Sequence, residues 1–213
     1  MNKTEAKIPS LYVAIIAVSG WFALMSQLYL IIQNRVVSVI ETIIRYFSFF
    51  TIFTNLIVAF CATVLLLKPN SKWGNWFSIS ATLTAITVYI TIVGIVYNVI
   101  LRFLWQPQGL QYVVDEILHT LIPILFILLW VLYVSKEGLK YKQTLLWLIY
   151  PLIYIIYTFI HGAITGYYPY PFVNVTELGY KMVLINTVGL VLAFSLLSLL
   201  LIAVAKYMSR KKA

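Results

Sequence analysis

Long apolar stretches alternate with short polar breaks along the whole chain. A helix needs roughly 20 apolar residues to cross the hydrocarbon core of a membrane. Stretches of about that length cover residues 11–32, 45–67, 78–104, 112–134, 144–161 and 180–205. The breaks between them contain Pro, Gly and charged residues, as in Lys68-Pro69-Asn70-Ser71-Lys72. The pattern predicts an all-α polytopic membrane protein, a bundle of six transmembrane helices.

The composition fits a membrane protein and leaves little room for anything else. Hydrophobic residues make up 62% of the chain and charged residues 10%, and the mean hydropathy is +0.96. Because none of the polar stretches could form a soluble domain, we expect residues 1–213 to form one six-helix transmembrane domain. The first apolar stretch is too long for the core of a signal peptide, so we interpret it as a retained first span.

The net charge of +9 is distributed unevenly between the two ends of the predicted spans. One end holds eleven basic residues: Lys3, Lys7, Lys68, Lys72, Lys136, Lys140, Lys142, Lys206, Arg210, Lys211 and Lys212. The other end holds four: Arg35, Arg45, Arg102 and Lys181. Basic residues favour the cytoplasmic side, so we predict a multi-pass protein of the cell membrane with both termini cytoplasmic. The charge then faces anionic membrane lipids and does not indicate nucleic acid as a partner.

The few polar residues of the spans lie near the other, predicted outer, end. They are Thr51, Asn55, Asn98, Arg102, Asp115, His119, Tyr154 and His161. Ionisable groups at membrane depth are costly and usually face the interior of a bundle, where they mark a functional site. The sequence therefore predicts a polar cluster in the outer half of the bundle.

Two pairs of these residues have the spacing of neighbours on a helix face. Asp115 and His119 are four residues apart, so the carboxylate could hold one imidazole nitrogen and raise the basicity of the other. The simpler interpretation is an ion pair that caps the helix. Asn98 and Arg102 have the same spacing, although Arg102 could also extend toward lipid headgroups. Pro123, one turn beyond His119, should disturb the helix locally.

Thr51 and His119 are predicted to lie at the same depth, roughly 10 Å from the outer ends of their helices. A hydroxyl and an imidazole at matched depth could form a nucleophile and its base. Thr51 shares a helix face with Asn55. The alternative is that Thr51 only hydrogen-bonds its own backbone, as threonines in membrane helices usually do.

The fifth span presents Tyr154 and His161 on one face, before the loop Tyr167-Tyr168-Pro169-Tyr170-Pro171-Phe172. That loop could be an interfacial aromatic belt or a stiff lid over a cavity. We expect no metal and no cofactor, because the two histidines lack the further Cys, His or carboxylate ligands of a metal site. Phosphate-loop, serine-hydrolase and zinc-protease motifs are also missing from the sequence.

Several motifs together resemble a known group of membrane proteins. They are Phe50-Thr51-Ile52-Phe53-Thr54-Asn55, Tyr97-Asn98 with Leu101-Arg102, Asp115-Glu116-Ile117-Leu118-His119-Thr120 with Pro123, and Tyr168-Pro169-Tyr170-Pro171-Phe172. This ordered set, spread over most of the chain, resembles the bacterial Pr-six-Pr family of six-span membrane proteins. That family in turn is distantly similar to the androgen-induced membrane hydrolases of animals, which cleave fatty acid esters of hydroxy fatty acids with an intramembrane threonine and histidine.

The resemblance implies a role for two residues of this chain. His119, followed by Thr120 and the nearby Pro123, would correspond to the histidine of the animal enzymes. Thr51 would correspond to their nucleophile. The spacing from threonine to asparagine differs by one residue, so Thr54 is the alternative nucleophile.

Two functions from different classes follow from the sequence. The first is a lipid-ester hydrolase in which His119, positioned by Asp115, activates Thr51, with Asn55, Asn98 or Arg102 donating hydrogen bonds to the oxyanion. The second is a non-catalytic lipid or small-molecule binding or transport protein that uses the same polar cluster, including Tyr154 and His161. The substrate and the oligomeric state are left open.

Overall fold

A computed structural model describes residues 8–104 and 106–210, and its regular elements there are helices. Ten α-helices follow one another along these residues: α1 (Ser10–Gln33), α2 (Val39–Tyr46), α3 (Phe50–Leu67), α4 (Lys72–Phe77), α5 (Ser80–Val99), α6 (Leu110–Glu116), α7 (Ile122–Tyr133), α8 (Gln143–Trp147), α9 (Ile149–Thr165) and α10 (Val175–Arg210). Short 3-10 turns lie at Leu101–Phe103 and Pro171–Val173. A single π-helical turn, Ile117–Leu121, joins α6 to α7 and is called the π-turn below.

Six helical segments of the described chain are long and apolar enough to cross a membrane, which confirms the predicted number of spans. They are Ser10–Gln33, Phe50–Leu67, Ser80–Phe103, Leu110–Tyr133, Gln143–Thr165 and Val175–Arg210. The second begins at Phe50 and not at residue 45, because α2 is a separate helix and Phe49 is extended between the two. The last is longer than predicted, because helix continues on both sides of a kink at Gly179.

The predicted sidedness of the termini depends partly on terminal lysines. Lys3, Lys7, Lys211 and Lys212 lie outside the described residues. The cytoplasmic orientation of both termini therefore stays a prediction.

Small residues let the helices of the bundle approach closely, as is common between membrane helices. Gly20 of α1 faces Ala59 of α3, and a Cβ added at Gly20 would lie 3.1 Å from the Ala59 Cβ. Gly94 of α5 similarly faces Pro123 of α7. Helix α5 is the most buried span and lies at the centre of the bundle.

The loop of residues 166–174 is held against the bundle at several points. Tyr170 is buried within it, with 8% of its surface exposed. Asn186 of α10 donates a 2.9 Å hydrogen bond from Nδ2 to the Phe172 carbonyl. The ring of Tyr168 occupies the space that a Cβ at Gly162 would take. These contacts fix the loop over the ends of α3 and α9.

Candidate functional site

A cavity of about 350 Å³ lies between α1, α3, α5, α6 and the loop of residues 166–174. We call it the polar cavity. It is lined by Gln27, Ile31, Tyr46, Phe49, Thr51, Ile52, Tyr97, Leu101, Leu104, Gln111, Asp115, Leu118, His119, Pro169, Tyr170 and Pro171. The structure thus brings Thr51, Asp115 and His119 to one cavity of a size typical for small-molecule sites.

A smaller cavity of about 70 Å³ adjoins it, and we call it the apolar cavity. Its lining is almost wholly hydrophobic and includes Ile92, Val96 and Phe194. Thr51, Leu101 and Tyr170 line both cavities and form the wall between them. Thr51 therefore lies where a polar chamber meets an apolar one.

The π-turn and Pro123 leave two backbone carbonyls without their usual donor four residues ahead in the helix. The Ile122 N–H donates to the carbonyl of Ile117, five residues back. It is therefore not available to the carbonyl of Leu118, four residues back. Pro123 has no N–H to donate to the carbonyl of His119. At membrane depth an unsatisfied carbonyl costs several kcal/mol, so both need a donor from elsewhere.

Two asparagines on neighbouring helices supply these donors. Asn55 of α3 donates from Nδ2 to the Leu118 carbonyl at 3.3 Å and to Thr51 O at 2.9 Å. Asn98 of α5 donates from Nδ2 to the His119 carbonyl at 3.1 Å. Asn55 and Asn98 were two of the three residues predicted as alternative donors to the oxyanion. Instead they hold the backbone segment that carries His119.

The His119 ring is fixed by a hydrogen bond and by stacking. Its Nδ1 lies 2.9 Å from the backbone carbonyl of Asp115. Because a carbonyl only accepts, Nδ1 carries the proton, and in the neutral ring Nε2 is left as an acceptor. The ring also stacks on Tyr97, with ring centroids 3.9 Å apart and an angle of 12° between planes. His119 is thus held in the tautomer that can act as a base at Nε2.

The contact between Asp115 and His119 differs from the predicted one. The spacing of four residues predicted a carboxylate–imidazole contact, whereas the imidazole bonds the Asp115 backbone. The π-turn begins two residues after Asp115, so the regular helical spacing on which that prediction depended is interrupted before His119.

The Asp115 carboxylate belongs to a separate polar group in the same cavity. Its Oδ1 accepts a 3.1 Å hydrogen bond from Gln111 Nε2, which also donates to Gln27 Oε1 at 2.7 Å. The carboxylate interacts with the Tyr97 hydroxyl as well. Since Tyr97 stacks on His119, Asp115 positions the imidazole through its carbonyl and through this tyrosine.

Thr51 is the second residue of α3, so its backbone N–H has no acceptor within the helix. That N–H donates to the Tyr170 hydroxyl at 3.3 Å, and Thr51 Oγ1 lies 3.4 Å from the same hydroxyl. Burial raises the pKa of the Tyr170 phenol, which therefore keeps its proton. Within the described chain, Thr51 Oγ1 and the His119 ring share no hydrogen bond.

Thr54, the alternative nucleophile, occupies a different place. It is fully buried, and its hydroxyl lies 3.0 Å from the Tyr150 hydroxyl. Thr54 lines neither the polar nor the apolar cavity. The geometry favours Thr51 over Thr54 as a reactive hydroxyl.

Arg102 is engaged with neighbouring side chains and does not line the polar cavity. Its Nη2 forms a 2.6 Å ion pair with Glu116, and its Nε donates to Asn98 Oδ1 at 3.0 Å. Arg102 Nη2 also donates to Thr120 Oγ1 at 3.2 Å. The guanidinium thus braces the π-turn against α5.

Tyr154 and His161 lie apart from the polar cavity. Tyr154 lines the apolar cavity and donates its hydroxyl to the Ser48 carbonyl at 2.8 Å. His161 lines neither cavity. It stacks on Tyr157 and meets Tyr167 edge-on, and both of its ring nitrogens are buried without a hydrogen-bond partner among the described residues.

Sequence reasoning singled out neither Gln111 nor Gln27 and noted Tyr97 only as part of a motif, although all three line the polar cavity. Gln111 precedes Asp115 by four residues, a signal that could have placed it on the same face. Tyr170 was noted only as part of the loop. No group of three or more metal-ligating side chains occurs among residues 8–104 and 106–210.

The sequence has no detectable match among models of known protein families, curated proteins or solved structures.

Proposed function

We propose that this protein is a lipid-ester hydrolase of the membrane interior, with Thr51 as nucleophile and His119 as general base. One observation carries the proposal: Thr51 and His119 line the same cavity, and Thr51 also borders an apolar cavity. The hydrophobic lining of the apolar cavity suits the part of an acyl chain next to the ester group, and an ester group between the two cavities would then lie at Thr51.

The reaction proceeds in two halves. Thr51 Oγ attacks the ester carbonyl carbon, and its proton passes to His119 Nε2. The C–O bond to the alcohol breaks, and the alcohol leaves with the proton from His119. Water then attacks the acyl-threonine, gives a proton to His119, and releases the fatty acid as that proton returns to Thr51 Oγ.

The negative oxygen of each tetrahedral intermediate needs hydrogen-bond donors. The Asn55 and Asn98 amides hold the π-turn, so we assign this role to the Thr51 backbone N–H and the Tyr170 hydroxyl, which meet beside Thr51 Oγ1. A substrate oxygen takes the place that the Tyr170 oxygen occupies on the Thr51 N–H. One such donor typically contributes about 10²–10³ in rate.

A non-catalytic lipid-binding or transport function is the second candidate. This function is favoured by the structural contacts of Asn55, Asn98 and Arg102, because these contacts leave fewer polar groups for catalysis. The polar and apolar cavities would then hold the head and the chain of a lipid without cleaving it.

Turnover in a matched pair of variants separates these functions. Purified protein in lipid nanodiscs is assayed on a long-chain monoacyl ester, and Thr51→Val is compared with Thr54→Val. We expect Thr51→Val to abolish turnover and Thr54→Val to retain it, because both lose a buried hydroxyl but only Thr51 lines the cavities. Peptide mass analysis of the wild type should find an acyl group on Thr51. Full activity of Thr51→Val would exclude the mechanism.

We also propose that both termini lie in the cytoplasm. The eleven basic residues at one end of the spans against four at the other support this orientation. The polar cavity would then lie in the outer half of the bilayer.

A further inference from the structure

We infer that the polar cavity selects lipids whose head is uncharged and carries hydroxyl groups, as in a monoacylglycerol, and rejects phosphate and carboxylate heads. This inference rests on the proposed function, since it names the class of ester that would be hydrolysed. The charge of the cavity and the direction of its hydrogen bonds each support it.

Charge is the first argument. Among the described residues that line the polar cavity, Asp115 is the only one with a formal charge, and none is Lys or Arg. Asp115 is buried, with 5% of its surface exposed, so the field of its carboxylate is poorly screened by water. An anionic head in this cavity would meet a like charge and, among the described lining residues, no cation.

Arg102, the cation that the sequence placed in the predicted polar cluster, does not change this balance. It pairs with Glu116 at 2.6 Å and lies outside the lining of the cavity. A guanidinium without an acidic partner would favour an anionic ligand. The ion pair neutralises that preference.

The direction of the hydrogen bonds is the second argument. The Tyr46 hydroxyl donates to the Leu24 carbonyl, and both hydrogens of the Gln111 amide are used by Gln27 and Asp115. His119 Nδ1 is used by the Asp115 carbonyl. The donors that line the cavity are thus mostly directed into the protein.

Acceptors remain for a ligand. They are Gln111 Oε1 and His119 Nε2, with Gln27 Nε2 as a donor beside them. An acceptor-rich pocket needs a ligand that brings donors, because a buried acceptor left unpaired is destabilising. Hydroxyl groups supply donors without a negative charge.

Ether lipids that cannot be hydrolysed test this selectivity apart from turnover. Hexadecyl glycerol ether, hexadecyl phosphate and hexadecyl trimethylammonium share one chain and differ in the head. Each competes with a photoreactive alkyl glycerol for labelling of the protein in nanodiscs. We expect the glycerol ether to compete at a concentration at least about tenfold below that of the phosphate. Hexadecyl trimethylammonium, whose head has no hydrogen-bond donors, should compete at a concentration between those of the other two lipids.

Variants of the cavity should change this order. Asp115→Asn should reduce the difference between the concentrations at which glycerol ether and phosphate compete to about threefold or less. The control Glu177→Gln removes an exposed carboxylate that lies outside the cavity and should leave this difference unchanged. Gln27→Lys, a second variant should Asp115→Asn fail to fold, places a cation in the cavity and should favour the phosphate.

The outcomes separate this inference from the proposed reaction. The inference is overturned if the wild-type protein binds hexadecyl phosphate as tightly as the glycerol ether or more tightly. It is also overturned if neither Asp115→Asn nor Gln27→Lys changes the ratio of the concentrations at which these two lipids compete. If the wild-type protein prefers the glycerol ether but hydrolyses no ester, only the hydrolase proposal is overturned. If the protein hydrolyses a monoacylglycerol but binds hexadecyl phosphate more tightly than the glycerol ether, only the inference is overturned.

Discussion

Asn98 of α5 donates a hydrogen bond from Nδ2 to the backbone oxygen of His119, at 3.1 Å, and so replaces the N–H that Pro123 lacks. Asn55 does the same for the neighbouring carbonyl of Leu118. These two side chains allow the π-turn to exist inside the bundle. They position His119 without touching its ring.

Replacing Asn98 should therefore destabilise the protein through the backbone. Asn98→Leu leaves the His119 carbonyl unpaired and should lower the free energy of unfolding by about 1–3 kcal/mol. Pro123→Ala in the same chain restores an N–H four residues after His119 and should recover part of that loss. Chemical denaturation of both variants in nanodiscs or mild detergent measures this. Asn34→Ala, which removes an exposed hydrogen bond, is the control. If Pro123→Ala recovers none of the free energy of unfolding lost in Asn98→Leu, Asn98 does not act by replacing the N–H that Pro123 lacks.

The contact between α5 and α7 is tight enough to be tested with a single methyl group. A Cβ at Gly94 would lie 3.1 Å from Pro123 Cβ and 3.2 Å from the His119 carbonyl. Gly94→Ala should cost about 1–3 kcal/mol and disturb ligand binding, because it pushes the π-turn away from α5. Gly189→Ala is the matched control: it meets no atom within 4 Å and should be neutral or stabilising by up to about 1 kcal/mol. Equal melting temperatures of the two variants would refute the close contact.

The sequence predicted the six spans because membrane crossing requires a long apolar stretch, which is a local property. It also predicted that Thr51 and His119 lie at matched depth, since depth follows from distance to the helix end. The structure brings both to the polar cavity.

Other parts of the site depend on contacts between distant segments and could not be predicted. The roles of Asn55 and Asn98 follow from the π-turn, and the position of that turn is decided by Pro123 together with its neighbours in other helices. Tyr170 reaches Thr51 across 119 residues. Its place is set by the path of a loop, which hydropathy does not record.

His161 should tolerate an apolar replacement, contrary to its predicted role in binding. Its ring nitrogens are buried without hydrogen-bond partners between Tyr157 and Tyr167. His161→Phe removes these unpaired atoms and keeps the ring stack, so the melting temperature should be unchanged or higher. Labelling by the photoreactive alkyl glycerol should stay within about twofold of wild type. A loss of labelling with unchanged melting would assign His161 to the binding site.

The topology predicts opposite accessibility for two connecting segments. Cys61 is buried and can be replaced by alanine to give a cysteine-free chain. In that background, Gln108→Cys should react with a membrane-impermeant thiol reagent in intact cells, whereas Lys140→Cys should react only after lysis. The expectation follows from the excess of basic residues at the Lys140 end of the spans. Labelling of both positions from one side would contradict the six-span arrangement, and reversed labelling would place the termini outside.

Tyr170 offers the most direct test of the proposed reaction, because its hydroxyl contacts both the backbone N–H and the hydroxyl of Thr51. Tyr170→Phe keeps the ring in the wall between the cavities and removes one oxyanion donor. We expect kcat to fall about a hundredfold to a thousandfold while KM changes less than about threefold, since such a donor acts mainly in the transition state. Tyr168→Phe, in the same loop but over Gly162, should leave kcat unchanged. An unchanged or higher kcat in Tyr170→Phe would show that the phenol only plugs the cavity, and the Thr51 N–H would then be the remaining donor for the oxyanion.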